Sequence, residues 1–414
     1  MRIAVIGAGI SGLTAAYALQ RMHQITLFEA NNYLGGHTNT IDVEDDGKLH
    51  CVDTGFIVFN NHTYPNFTCM LDDLGVASKP TTMSFSVKCD RSGLEYRGAD
   101  VNGLFAQRRN LINPRFLRLL RDLVRFNKRT LALLSAEEDL TVAEFFEKHQ
   151  FSNEFIEQYF LPMGSAVWSC PRGKLQEFPI RFVLDFYRNH GMLAVRGRPQ
   201  WRVIEGGSRS YVESMMRGFE GVIHLQTPIT SISRCNEYVE ITLASNQTQR
   251  FDQVIFACHS DQALRILGKE AMGTEREVLA AFPYERNVAQ LHTDTTVLPK
   301  TRRAWASWNY HVPHEDPEKA TVTYNMNMLQ GIQSKNVYNV TLNGEKYIDP
   351  EKVIRRIEYA HPIFTTERWA AQRRHGELIK RRRTSFCGAY WGNGFHEDGV
   401  NSALAVSKAF LGAD

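Results

Sequence analysis

The chain carries a glycine-spaced run near its start, Gly7-Ala8-Gly9-Ile10-Ser11-Gly12. Gly7 permits a tight turn, Gly9 lets backbone approach a pyrophosphate, and Gly12 lets a helix pack closely. N–H groups left free at that helix start, around Ser11, would face phosphate oxygens. Glu29 stands 17 residues beyond Gly12, followed by Ala30. A carboxylate there accepts both hydroxyls of an adenosine ribose and repels a 2′-phosphate, which disfavours NADPH. This chemistry needs a strand before the glycines and a helix after them. Arg2 to Ile6 reads as a short β-branched strand, Leu13 to Met22 as an alanine-rich helix, and Ile25 to Phe28 as a second buried strand.

Three further blocks extend the pattern. Gly35-Gly36-His37-Thr38-Asn39-Thr40 begins six residues after Glu29, and Asp53-Thr54-Gly55-Phe56 follows. Near the other end, Phe386-Cys387-Gly388-Ala389-Tyr390 reads as a strand entering a turn. Gly392, Gly394 and His396-Glu397-Asp398-Gly399-Val400-Asn401-Ser402-Ala403 come next, with a small-residue helix from Val400 to Phe410. Together these blocks resemble the fingerprint of the FAD-containing amine oxidase superfamily, which includes monoamine and polyamine oxidases, protoporphyrinogen oxidase and phytoene desaturases. The pattern YLGGHTNT, DTGFIVFN, FCGAYWGNGFHEDG is most similar to a bacterial NAD/FAD-binding branch associated with cyclopropane-fatty-acid-synthase-like lipid methyltransferases.

The resemblance implies FAD as cofactor and assigns residues to it. Gly35, Gly36, His37 and Thr38 take the place of a motif that usually carries arginine where this chain has His37. Gly55 and Phe56 belong to a loop folded beside the flavin. Gln253 to Cys258, including Ala257, looks like the strand closing over the adenosine side, and Val222 resembles the position whose backbone meets adenine. Gly388 and Ala389 match the strand passing the ribityl chain, although the family commonly has an acid at the position of Ala389. Asp398, Gly399, Val400 and Ser402 match the helix start at the flavin's pyrimidine end, where the helix dipole would stabilise reduced flavin.

The expected fold is α/β, a Rossmann-type FAD-binding domain interleaved with an α+β substrate-binding domain that contains a mixed sheet and helices. Its FAD-binding parts are 1–75, 201–275 and 376–414; 76–200 is a mainly helical substrate or membrane-facing region, and 276–375 supplies the substrate-domain sheet. Strands are expected at Ser84 to Val87, Leu94 to Tyr96, Val222 to Leu225, Ile229 to Ser233, Tyr238 to Leu243 and Gln253 to Ala257.

Residues 107–129 hold eight Arg or Lys against one Asp. From Pro114 the periodicity is helical, with Phe116, Leu119, Leu120, Leu123 and Val124 on one face and Arg115, Arg118, Asp122, Arg125 and Arg129 on the other. Such a helix suits a solvated surface, and it also suits peripheral contact with an anionic bilayer. Thr141 and Glu144 form a capping-box signature. Met163 and Trp168 in a small-residue apolar run, Trp305, Trp308, Tyr324 and Met326 in a strand-rich region, and Tyr390 and Trp391 beside the expected flavin are substrate-pocket candidates. Met163 and Trp168 suit plain core packing equally, and the strand-region residues, taken singly, suit it better than ligand contact.

Composition narrows the remaining chemistry. The 414 residues are 43% apolar and 22% charged, with a formal charge of +3, so bulk electrostatics do not point to nucleic acid as a partner. Seven scattered cysteines without a CxxC pair read as reduced thiols of a cytoplasmic protein and offer no metal set. His396, Glu397 and Asp398 read as loop polarity, and His259 as either a base or a structural group. No Ser-His-Asp order, P-loop or HExxH competes. No run of 18 apolar residues crosses a membrane.

The resemblance and the apolar middle together predict an FAD-dependent dehydrogenase or desaturase of unsaturated or methyl-branched fatty acyl chains, passing hydride to flavin N5. The alternatives are an amine oxidase, for which the family commonly keeps a lysine-held water near the flavin, a flavin-dependent double-bond isomerase, and a non-catalytic flavoprotein partner of a lipid methyltransferase. The catalytic base is unassigned. The expected location is cytoplasmic, with residues 107–129 as the contact to the cytoplasmic face of a membrane in the lipid-facing alternative.

Overall fold

A computed structural model describes residues 1–133, 140–193, 197–314 and 319–412. The side chain of Arg129 lies outside the described residues. Short β-branched segments with apolar residues on both faces form a five-stranded parallel sheet, in the order Thr384–Phe386, Gln253–Phe256, Arg2–Ile6, Gln24–Phe28, Val222–His224. Arg2–Ile6 is central, so the loop that leaves it opens at the middle of the sheet's carboxyl edge, where α/β sheets bind ligands. Helices Ile10–Leu19 and His396–Leu411 pack against each other beside this sheet.

A second, seven-stranded sheet runs Val353–Pro362, Tyr284–His292, Asn339–Leu342, Thr321–Asn325, Trp308–Val312, Phe85–Cys89, Leu94–Arg97. Its pairs are antiparallel except Trp308–Val312 with Phe85–Cys89. The region 76–200 therefore gives two strands to this sheet before its helices begin. Those helices, from Pro114–Leu133 to Ile180–Asn189, bury an aromatic core around Phe126, Phe146, Phe160 and Trp168. Thr141 and Glu144 make the reciprocal capping box of helix Val142–His149. The architecture is mixed α/β, with sheets of both kinds built from interleaved segments. No helix among the described residues is long and apolar enough to cross a membrane.

Helix Pro114–Leu133 differs from its expected orientation at two positions. Asp122 is buried and accepts the Ser152 N–H at 3.0 Å, while Val124 is 54% exposed. Asp122 shares a face with Leu119 and Phe126, at i+3 and i+4 spacing, and the N–H it satisfies belongs to a neighbouring helix start.

Candidate functional site

The loop after Arg2–Ile6 opens onto a cavity of about 1470 Å³. Gly7 has φ +103°, a conformation that favours glycine, and a Cβ there would meet the Ala257 backbone at 3.0 Å. Gly9 and Gly12 play opposite parts. A Cβ on Gly9 would find nothing within 4 Å, whereas one on Gly12 would stand 1.9 Å from the Gly7 carbonyl oxygen. Gly12 thus seats helix Ile10–Leu19 on its strand, and Gly9 leaves open space at the helix start. That start has no side-chain cap, and Ile10 and Ser11 line the cavity. Its first-turn N–H groups lack intrahelical acceptors and suit an anionic ligand.

Glu29 and Ala30 line the same end of the cavity. The Glu29 carboxylate accepts from Ala8 N–H at 2.8 Å, Asn31 N–H at 2.8 Å and Asn31 Nδ2 at 2.9 Å, which fixes its orientation. Val222 does not stand here. It is 54% exposed on the sheet's edge strand, and residues Thr227, Pro228, Ile229 and Thr230 line the cavity instead. The Thr227 N–H bonds to the Glu29 carbonyl at 2.8 Å, because the chain turns back over Glu29 after leaving the edge strand.

The second glycine pair lies on the first. Gly35 N–H bonds to Ala8 O at 2.8 Å, and a Cβ on Gly36 would reach Gly9 Cα at 3.1 Å. His37 stacks on Tyr359, with ring centroids 4.7 Å apart, and faces His361 at 5.2 Å and His259 at 6.4 Å. Its Nε2 is buried without a partner. Burial first, then the neighbouring histidines, hold the His37 imidazole well below its usual pKa. At neutral pH it brings a hydrogen-bonding ring, not the cation an arginine would bring. Gly55 passes so close to His37 that a Cβ would meet the His37 carbonyl oxygen at 2.2 Å, and Phe56 stacks on His396 at 3.5 Å.

His396 begins the final helix, four residues before the expected start at Val400. Its Nε2 bonds to Thr38 Oγ1 at 3.0 Å and Tyr211 OH at 3.2 Å, and burial pushes it down to about 3. Glu397 accepts the N–H groups of Asn66 and Phe67. Asp398 accepts the Phe395 N–H at 2.9 Å, and burial raises it to about 6. The three polar side chains point to three different partners, and no group of three His, Cys, Asp or Glu among the described residues could hold a metal. Ser402 Oγ accepts the Gly388 N–H at 2.9 Å, Gly399 packs on Ile10 and Ser11, and Val400 is core. Thr38, Asp398, Gly399, Val400 and Ser402 thus stand behind the cavity wall, while Gly388 and Ala389 line it.

The far end of the cavity is apolar. Met163 and Trp168 from helix Leu161–Trp168 line it with Leu119, Leu120, Leu123, Phe186, Trp308 and Tyr324, whereas Tyr390 lines the cavity next to Gly388 and Ala389, packed on Phe282. Trp308 and Tyr324 are cross-strand partners, which puts both on one sheet face. Three expected pocket residues lie elsewhere. Trp305 donates from Nε1 to Pro299 O at 2.7 Å, Met326 is buried in the sheet's core, and Trp391 stacks on His375 at 4.2 Å.

Beside His37 the cavity is also lined by His259, stacked on Tyr284 at 4.3 Å, and His361. Asn287 Nδ2 meets His361 Nδ1 at 2.9 Å, and burial pushes this imidazole down to about 4. No lysine is among the described residues lining the cavity; its cations are Arg198, Arg265 and Arg286. Sequence reasoning missed His361, Trp201 and residues 227–230. The last carry a signal, a Thr-Pro turn after a strand, but pattern alone does not say which side of the sheet edge the turn covers.

The model of the family described as flavin containing amine oxidoreductase matches residues 10–293, more than half of the chain. The chain belongs to this family. Its cofactor is FAD, and the site fits that group: an open Gly9 cradle at a helix start and a fixed Glu29 carboxylate line one cavity, and His37, whose buried Nε2 has no protein partner, lines it as well. Protoporphyrinogen oxidase 2 of Arabidopsis thaliana is 28% identical over 167 residues, which is 39% of this chain and 31% of that protein. The chain spans less than a third of the length of the curated relatives it matches. Among solved structures of flavin-family fold, cyclohexylamine oxidase from Brevibacterium oxydans IH-35A superposes with a TM-score of 0.66 at 15% identity, covering 99% of each chain. The CLA-producing fatty acid isomerase from P. acnes superposes with a TM-score of 0.68 at 15% identity, covering 99% of this chain and 98% of that one.

Proposed function

We propose that this amine oxidoreductase family member is an FAD-dependent dehydrogenase or desaturase acting on an unsaturated or methyl-branched fatty acyl chain. The observation that carries this reading is the apolar half of the cavity, continuous with the cofactor end and walled by Leu119, Leu120, Leu123, Met163, Trp168 and Phe186. Such walls hold a hydrocarbon by burial, at about 25 cal/mol per Å² removed from water, and exclude water from the reacting carbon. FAD, when bound, supplies the hydride acceptor. His361 is held neutral, and its Nδ1 is occupied by Asn287, so it offers a positioned Nε2–H to a carbonyl or carboxylate oxygen in the cavity. The lack of a lining lysine among the described residues weighs against the lysine-held water of amine oxidation.

A redox-neutral double-bond isomerase is the second reading. It is favoured by the fold shared with the CLA-producing fatty acid isomerase, and it uses the same apolar walls. Anaerobic visible absorption of the purified flavoprotein separates these readings. Bleaching of the oxidised-flavin bands by phospholipid extract or free unsaturated fatty acids supports the dehydrogenase. Substrate rearrangement with the bands restored supports the isomerase. Bleaching by amines alone overturns both lipid readings.

A further inference from the structure

Helix Pro114–Leu133 has two working faces. Leu119, Leu120, Leu123 and Asn127 wall the cavity from one side. On the other, Leu117, Arg121, Val124 and Lys128 recur at helical spacing and are all exposed. The turn that leads into the helix presents Leu111 and Ile112, and Ile112 is 84% exposed. Five of the fifteen exposed large apolar side chains among the described residues, Val101, Leu111, Ile112, Leu117 and Val124, fall within residues 101–124. They are concentrated, not scattered as isolated apolar side chains on an ordinary surface are.

Cations surround this apolar strip. Arg108, Arg109, Arg115, Arg118 and Arg121 are exposed, and Arg121 keeps 71% of its side chain in solvent. Asp122, the one acid in residues 107–129, is turned inward onto the Ser152 N–H. Arg125 is committed to the scaffold, donating to His149 O at 2.6 Å and lying over the Phe151 ring. Arg118 meets the largely buried Glu154 at 3.4 Å, and the other arginines leave the exposed face with apolar side chains and net positive charge, the pairing that lets a helix lie in the headgroup plane of a negatively charged bilayer.

We propose that the outward face of helix Pro114–Leu133, with the Leu111–Ile112 turn leading, docks on an anionic lipid bilayer. The occupant follows from charge complementarity: acidic headgroups meet the arginines while Ile112, Leu117 and Val124 enter the interface. Because the opposite face of the same helix walls the cavity, docking would bring the apolar end of the cavity next to the lipid. The docking face stands independently of the substrate reading, since vesicle binding is measured without turnover.

The test is co-sedimentation of the full-length holoprotein with vesicles of phosphatidylcholine plus phosphatidylglycerol, against phosphatidylcholine alone, at low and high salt. Binding to the mixed vesicles that weakens with salt is expected. The combined Arg108→Gln, Arg115→Gln and Arg121→Gln substitutions should weaken it on the order of a hundredfold. Ile112→Ser with Val124→Ser should weaken it separately, and unchanged flavin absorbance and melting temperature would show both variants folded. No vesicle binding, equal binding to neutral vesicles, or binding indifferent to both variants overturns the proposal. Salt-sensitive vesicle binding without flavin bleaching by lipid would keep the docking face and remove the lipid substrate; bleaching by detergent-dispersed lipid without vesicle binding would do the reverse.

Discussion

The Oε2 atom of Glu29 accepts the backbone N–H of Ala8 at 2.8 Å, so the carboxylate that faces the adenosine end of the site also pins the glycine loop. Glu29→Gln keeps the shape but turns one acceptor into a donor, which must then face the N–H of Ala8 or of Asn31. The expected result is about a tenfold or greater loss of FAD affinity, together with roughly 1–3 kcal/mol of stability from the unpaired donor. Flavin content after purification and denaturant unfolding of the apoprotein measure the two separately. Full flavin occupancy in the variant would argue that Glu29 serves the loop alone.

Gly9 and Gly12 should separate cofactor binding from folding. Gly9→Ala meets no protein atom within 4 Å, so the apoprotein should unfold within about 0.5 kcal/mol of wild type while flavin content collapses. Gly12→Ala drives a Cβ to 1.9 Å from the Gly7 carbonyl oxygen, and should cost the fold about 1–3 kcal/mol or more through overpacking. Retention of FAD by Gly9→Ala would place the pyrophosphate elsewhere in the cavity.

Asn287 is buried, receives Asn343 Nδ2 on its Oδ1 at 2.7 Å and meets His361 Nδ1 with its Nδ2. Asn287→Leu removes both contacts and leaves the Asn343 amide short of an acceptor. A loss of about 1–3 kcal/mol is expected in thermal unfolding. Nitrogen-15 NMR of labelled histidine should show His361 as the Nε2–H tautomer in wild type and as a tautomer mixture in the variant. A mixture already present in wild type would show that Asn287 does not orient the ring.

Acid should destabilise this protein. Burial holds His361, His190 and His292 at about 4 and His396 at about 3, against an ordinary 6.5. Between 6.5 and about 4 the unfolded chain binds protons at these sites and the folded chain does not, so stability present above 6.5 is lost as pH falls through that window. Buried Asp53 and Asp398 act oppositely. Burial raises each to about 6 from 3.8, so the folded state holds their protons longer and gains stability as pH falls from 6 toward 3.8. Four histidines outweigh two carboxyls of comparable shift, at ~1.4 kcal/mol per unit. Urea midpoints at pH 7, 6 and 5 should fall in that order, and Asp53→Asn, which removes one opposing carboxyl, should steepen the fall. A midpoint that rises toward pH 5 would mean that the carboxyls dominate.

The local parts of the site were legible because their geometry is set by near neighbours. A strand, a glycine turn, a helix and Glu29 fit within the first thirty residues, where the φ of Gly7 and the close contact of Gly12 are dictated by the turn itself. The Thr141–Glu144 capping box is likewise a matter of three-residue spacing. Family, cofactor and mixed α/β class followed from such blocks in their order.

Tertiary structure decided which way each element faces. Asp122 points inward because Ser152, which caps the short helix Asn153–Phe155, brings it an N–H, and Val124 turns outward as a result. The last helix starts at His396, not Val400, with His396 and Glu397 held by partners more than 300 residues away, Thr38 and Phe67 among them. Trp308 and Tyr324 reach the cavity while Met326 fills the sheet, although all are apolar and close in sequence. Periodicity names a helix or a strand through backbone sterics and hydrogen bonding over a few residues. Which of its faces meets cofactor, core or solvent is set by contacts between segments far apart in the chain, which no local pattern encodes.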